Sequence, residues 1–254
     1  MNLDHLPAAS QWPWNLLVHD PTAALTLSSL IPPVFASYAR IFHPAYTAQA
    51  PITSGDSVRS TIMWGAIARS NDRKVHRLAQ FPNIAKVKDL FDLVASTDQI
   101  WDEPPAQGTL PLDLARVLAD VLEDFTTNVS APCNFGVWTG YSDIKLSANA
   151  PRLCRPGREY QCYSAPLKEV QKSVTPFREQ IANLWWPTDY AWMVATDIDH
   201  VSTYVGGSAA CIQALIDCAH IEAAPSQQGD RIGYAADTVN SPWGPDSDHH
   251  SWPN

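Results

Sequence analysis

Along TLPLDLARVLADVLEDFTTN, Leu114, Val117, Leu118, Val121, Leu122 and Phe125 return at steps of three and four. That spacing gathers them on one side of a helix and leaves the charged positions on the other. Thr109 is placed to cap this helix, Pro111 falls in its first turn, and Asp113 faces the positive end of its dipole. A different rhythm runs through FASYARIFHPAY, where Ala36, Tyr38, Arg40 and Phe42 alternate with Phe35, Ser37, Ala39 and Ile41. Period two predicts a strand buried on at least one face, stopped at His43-Pro44. CNFGVWTGY alternates in the same way and predicts a strand that stops at Gly140; YAWMVATDI predicts another, and IEAAPSQ a last edge strand. SVRSTIMWGAIARSN suggests a short helix with Ile62, Ala66 and Ile67 on one side and Asn71 near its end. PLKEVQKSV and SAACIQALIDCAH are the other helical stretches. Pro156-Gly157 lies between the two β-prone arms of APRLCRPGREYQCYSAP, a hairpin signal. QWPWNLLVHDP is an apolar patch closed by a turn at Asp20-Pro21.

Strands outnumber long helices and one connection is a hairpin. The expected fold class is therefore α+β: a mixed, largely antiparallel sheet with helices packed against it. A single domain is expected over residues 1–228, followed by a polar, proline-rich tail over 229–254, ordered only in part. With 254 residues, 45% of them hydrophobic, the chain can bury a sizeable core without staples.

Charge narrows the choice of partner. A formal charge of -9 spread along the chain repels polyanions, so nucleic acid is not expected and a basic protein partner is. The cationic stretch ARSNDRKVHR at 68–77 looks like one solvated helix face. No window approaches the ~18 apolar residues of a membrane span, and MNLDHLPAASQWPWNLL lacks a basic leader, so a cytoplasmic, unprocessed protein without membrane contact is expected. Five cysteines, an odd number with no C-x-x-C pair, argue for reduced thiols rather than a disulfide framework or a zinc ribbon. Cys211 and Cys218 lie seven apart, on one helical face. No nucleotide or metal motif is present, and neither cofactor nor metal is expected.

Ten tryptophans suggest a Trp-rich core or an aromatic cleft. Trp185, Trp186, Tyr190 and Trp192 are the densest group, suited either to line such a cleft or to pack a sheet onto the long helix. The most suggestive chemistry lies just beyond, in WMVATDIDHVSTYVGGSAACIQALI. If 192–199 is one strand, Met193, Ala195, Asp197 and Asp199 share a face and the two carboxylates stand ~7 Å apart. With His200 beside them, acid/base work or a divalent metal becomes geometrically conceivable. The same aspartates are explained as turn formers that accept backbone N–H groups. Gly206, Gly207 and Ser208 open a helix, where backbone N–H groups hold anions; Ser208 is also an ordinary N-cap. GGSAA is not a nucleophile elbow, and the DHH triplet at 248–250 has no strand before it. His43 and His76, each beside apolar or aromatic neighbours, suit hydrogen-bonded core or turn positions. Whether any turnover occurs is left open by these residues.

NLWWPTDYAWMVATDIDHVSTYVGGSAACIQALI resembles the closing segment of a family of uncharacterised bacterial proteins, in which W-P-x-D-x-x-W leads through D-x-D to T-Y-V-G-G-S and a helix. YARIFHPAY, GTLPLDL and PGREYQCYSAPL resemble earlier blocks of that family, so the likeness runs from about residue 12 to 240. The family brings no established activity, hence no catalytic residue to transfer. In arrangement, a Leu-Pro helix followed by a short aromatic strand on an α+β frame is similar to the SUKH superfamily of immunity and scaffold proteins. The expectation is a non-enzymatic binding or interaction protein with an acidic surface and an aromatic cleft. The alternative is a metal-assisted hydrolase or other enzyme using Asp197, Asp199 and His200, with an anion held at Gly206–Ser208.

Overall fold

The computed structural model describes residues 16–17, 25–48, 59–88, 90, 99–128, 130–144, 147, 149–155, 157–176 and 179–240. The fold is α+β, and the chain divides into two compact units: Met1–His43 with Ala106–Asp230, and Pro44–Pro105 with Arg231–Asn254.

The first unit is built on eight strands. They are β1 (Ser37–Phe42), β4 (Cys133–Trp138), β5 (Arg152–Arg155), β6 (Arg158–Ala165), β7 (Leu184–Pro187), β8 (Met193–Ala195), β9 (Ser202–Gly207) and β10 (Ala223–Ser226). Their order is β10-β1-β9-β8-β7-β4-β6-β5, and every described pair is antiparallel. Two helices, α3 (Leu112–Glu123) and α4 (Ala209–Asp217), cover one face. Leu114, Leu118 and Leu122 of α3 and Ile212 and Leu215 of α4 meet Ala39, Ile41, Phe135, Val137, Val194 and Val205 there. This is the apolar stripe that the three-and-four spacing predicts. The cap differs from expectation: Pro111 is the N-cap residue and makes no side-chain cap, while Thr109 Oγ1 instead accepts the N–H of Ile181.

The expected hairpin is present, with Gly157 at φ 74 in its two-residue turn, where a residue without Cβ adopts positive φ at little cost. β10 is the expected edge strand. The Phe42 N–H donates to Glu222 O, a phase that turns Ala224 and Ser226 toward β1 and Ala223 and Pro225 outward. Proline has no N–H to offer another strand, so this edge is blunted.

Two strands carry no alternation and escape a search for period two. LWWP of β7 and STYVGG of β9 are buried at every position, so both of their faces need filling. The expected strand over 192–199 is cut short at Ala195.

Paired strands share faces, so Tyr38, Arg40, Tyr204, Trp186, Cys162, Tyr160, Leu153, Arg155 and Arg158 all project from the side opposite the helices. In a flat sheet β5 would lie ~19 Å from β8, four strand spacings away, farther than an arginine reaches. Arg155 and Arg158 nevertheless hydrogen-bond Asp197, two residues past β8. The sheet therefore curls about this second face, in the sense its twist allows.

In the second unit, β2 (Ala45–Ala48) pairs antiparallel with β3 (Arg59–Ile62). Part of the helix expected over SVRSTIMWGAIARSN is thus strand, Arg59–Ile62: α1 (Trp64–Ser70) begins only after β3, and Asn71 caps its end. A second helix among the described residues is α2 (Phe81–Ala85). Trp64, Phe81 and Trp101 pack edge to face, with centroids 5.4 and 5.2 Å apart. Because α1 stops at Ser70, the cationic stretch 68–77 is not one helix face; Arg73, Lys74 and Arg77 lie beyond the helix, past Asp72 at φ 55. Of the tail expected over 229–254, residues 231–240 include a 3₁₀ turn at Tyr234–Ala236 and bury Asp237 and Asn240. Residues 241–254 and most of QWPWNLLVHDP lie outside the described residues.

Candidate functional site

The turn between β8 and β9 carries all three candidate acid/base residues. Asp197 is 8% exposed. One of its carboxylate oxygens accepts from Arg155 Nη2 at 2.7 Å. The other accepts from Arg158 Nη2 at 3.1 Å and from the backbone N–H of Asp199 at 3.1 Å. Asp199 is exposed, and its carboxylate takes a second bond from Arg158 Nη2 at 2.5 Å. Arg155 also donates to Ser29 O at 3.0 Å and lies 5.8 Å from the Tyr160 ring centroid. Both aspartates are therefore bound by guanidinium groups delivered by the hairpin of β5 and β6. The Asx-type turn bond expected of Asp197 is present too, as the smaller part of its contacts.

Burial alone would push the Asp197 carboxyl up. The hydrogen bond from Arg158 and the charges of Arg155 and Arg158 outweigh it and hold the group below the ordinary carboxylate range. His200 is drawn the other way. Burial, aided by the nearby charges of Arg40 and Arg155, lowers it to about 4 against the pull of Asp197 and Asp199. It is neutral near pH 7. Its Nδ1 is buried without a hydrogen-bond partner, and its ring meets Tyr204 edge-on at 6.2 Å. An ion-paired carboxylate is a weak base, and no group of three or more His, Cys, Asp or Glu among the described residues is placed to hold a metal.

Nothing in the residues around Asp197 announces its arginines, which lie 42 and 39 positions earlier. The one local signal is the hairpin itself: Arg155 and Arg158 flank its two-residue turn and pair across it, so both side chains project from the same face.

Gly206 and Gly207 belong to β9, not to a loop. Gly206 lies between Tyr38 of β1 and Met193 of β8, and Gly207 pairs with Ser37. Their backbones are committed to the sheet, and a Cβ on Gly206 would stand 2.5 Å from the Phe35 ring. The glycine is there for close packing. Ser208 caps α4 by accepting the N–H of Cys211 at 3.1 Å.

Trp185, Trp186 and Trp192 are fully buried. They fill the two sides of the sheet instead of lining an open cleft; Trp185 and Trp192 face the helices, where Trp192 Nε1 donates to Thr126. Tyr190 is partly exposed at φ 58. Open grooves occur among the described residues of this unit. One, of about 220 Å³, is lined by Glu123, Thr126, Cys133, Leu167 and Lys168. Another, of about 390 Å³, lies between α4 and the ends of β1 and β10. Neither includes Asp197, Asp199 or His200.

His43 is wholly buried, with Nδ1 2.7 Å from Ala106 O and Nε2 2.8 Å from Thr203 Oγ1. A carbonyl only accepts, so Nδ1 carries the proton and Nε2 accepts from Thr203. Thr203 Oγ1 in turn accepts from Thr196 at 2.7 Å. In the second unit, His76 Nε2 donates to Asp237 at 3.0 Å, and Asp237 also accepts the N–H groups of Gln80 and Asn240.

No family model, curated protein or solved structure matches this chain. Among the described residues no helix is long and apolar enough to cross a membrane, and all five cysteines are free thiols.

Proposed function

We propose that this chain is a binding protein of the immunity or scaffold kind, working by recognition of a basic protein partner in the reducing cytoplasm. One observation carries the reading: the carboxylate pair that the sequence offers for catalysis, Asp197 and Asp199, is already bound by Arg155 and Arg158. Those contacts suit a structural clasp between the hairpin and the β8–β9 turn. The formal charge of -9 and the exposed Asp113, Asp120 and Asp124 on and beside α3 favour a cationic partner.

The test has two arms. Melting of the purified protein is followed with Mn²⁺, Mg²⁺, Zn²⁺ and phosphate, since a ligand selective for the folded state raises the melting temperature. The expected response is flat; a clear rise abolished by Asp197→Ala would overturn the reading in favour of a metal-assisted hydrolase. In parallel, a basic protein recovered with the chain is purified and its affinity measured by titration. Charge reversal by Asp113→Lys, Asp120→Lys and Asp124→Lys is expected to weaken it about tenfold or more, and an unchanged affinity counts against this surface.

A further inference from the structure

The two units treat their cations differently. In the first, Arg116, Arg152, Arg155, Arg158, Lys168 and Lys172 each form a salt bridge with an aspartate or glutamate. In the second, Arg69, Lys74, Lys86 and Lys88 are exposed and make no ion pair among the described residues. They belong to a span, residues 69–88, that holds six lysines and arginines against one acidic residue, Asp72, in a chain that is otherwise acidic. The ends of this span are drawn together, because the Asn71 side chain donates to Ile84 O at 3.0 Å across α1 and α2. At the other side of Asn71, Lys74 is pinned through its backbone N–H and C=O to Asn240.

Helix dipoles account for part of this charge. Arg69 lies in the last turn of α1 and Lys86 follows α2, where a cation meets exposed carbonyls. Lys74 and Lys88 lie beyond either helix end and have no such role. The buried Asp237 is not available to them either: its carboxylate is enclosed by Gln80, His76 and Asn240.

We propose that residues 69–88 form a docking surface for an acidic protein segment. Among the described residues of this span, the exposed Arg69, Lys74, Lys86 and Lys88 are accompanied by one exposed acid, Asp72, so the surface carries an excess of positive charge. A short run of glutamates or aspartates fits its limited extent, whereas a long polyanion would also meet the repulsion of the whole chain. Base stacking has no platform here, since Trp64 and Phe81 are fully buried. Membrane insertion has none either, as none of the exposed large hydrophobic residues falls within 69–88. The surface is distinct from the β8–β9 turn and from α3, so it stands or falls separately from the proposed function.

The probe is a fluorescein-labelled decaglutamate peptide, with binding to the full chain followed by anisotropy. An oligothymidylate of equal charge and phosphatidylserine vesicles serve as the other arms. Saturable binding of the peptide is expected, weakening about tenfold between about 50 and about 300 mM salt as screening shortens the reach of the charges. The variant Arg69→Glu/Lys74→Glu/Lys88→Glu should lose about tenfold or more at the lower salt with an unchanged urea midpoint. Lys86 is left in place because it caps the C-terminal end of α2, where a glutamate would meet exposed carbonyls of like partial charge. The milder Lys74→Gln/Lys88→Gln should weaken binding in the same direction and keeps the test decisive if the triple variant is unstable. Absence of peptide binding, variants that bind like the parent, or tighter binding of the oligothymidylate or vesicles would each overturn the proposal.

Discussion

Acidification should loosen this protein well above the range in which its carboxylates titrate, and the buried His43 is one cause. Burial, together with the nearby Arg40, lowers its pKa from 6.5 to about 4, despite the bond to Ala106 O. Between those values the unfolded chain binds a proton that the folded chain refuses, so stability falls as pH drops through this window and levels off below about 4. Near pH 5, about 1.5 units under the unfolded value, the loss is ~2 kcal/mol at ~1.4 kcal/mol per unit. That is a large share of a typical ~5–15 kcal/mol total. His200, also near 4, acts in the same direction. Asp197 and Asp237 are held below the ordinary carboxylate range, so their contribution persists through this window and is lost only in stronger acid. The assay is urea unfolding at a series of pH values, with His43→Gln as the comparison. A glutamine amide still donates toward Ala106 O and accepts from Thr203 but does not titrate. Some stability is lost at neutral pH, while the drop between about pH 7 and about pH 5 should shrink by ~2 kcal/mol. If the variant loses as much stability on acidification as the parent, the reasoning is wrong.

Removing the Asp197 carboxylate leaves the partly buried Arg155 without a carboxylate partner and Arg158 with Asp199 alone, so Asp197→Ala should cost ~3 kcal/mol in urea unfolding. A cost near the ~1 kcal/mol of a lost turn cap would show that the arginines do not depend on it. Gly206→Ala must push Phe35 and Ile31 aside and should cost ~1–3 kcal/mol; a neutral result would remove the packing role given to this glycine. Asp237→Asn weakens charge-assisted bonds from His76 and from the N–H groups of Gln80 and Asn240, for a loss of ~2 kcal/mol. Hydrogen exchange should speed up at the Gln80 and Asn240 amides, and unaltered protection there would argue against the assignment.

Local patterns were the legible part of this fold. The long amphipathic helix, the alternating β1, the Pro-Gly hairpin, the Ser208 cap and the terminal edge strand each depend on residues within a few positions of one another. β7 and β9 were not legible, because LWWP is apolar throughout and STYVGG does not alternate, which leaves period two no contrast to read. A short apolar run such as RSTIMW suits either period, and pairing with β2 decides Arg59–Ile62 for strand.

The site follows the same division. Composition and spacing determined an α+β chain with free thiols, an acidic balance and a carboxylate pair beside a histidine in the stretch before α4. What those carboxylates do was decided by tertiary structure alone. Curling of the sheet carries the β5–β6 hairpin to the β8–β9 turn, and an ion pair between positions some forty apart leaves no trace in either neighbourhood. The same holds for Trp185, Trp186 and Trp192: an indole suits a cleft and a core equally well, and only the layers packed on either side of it make the choice.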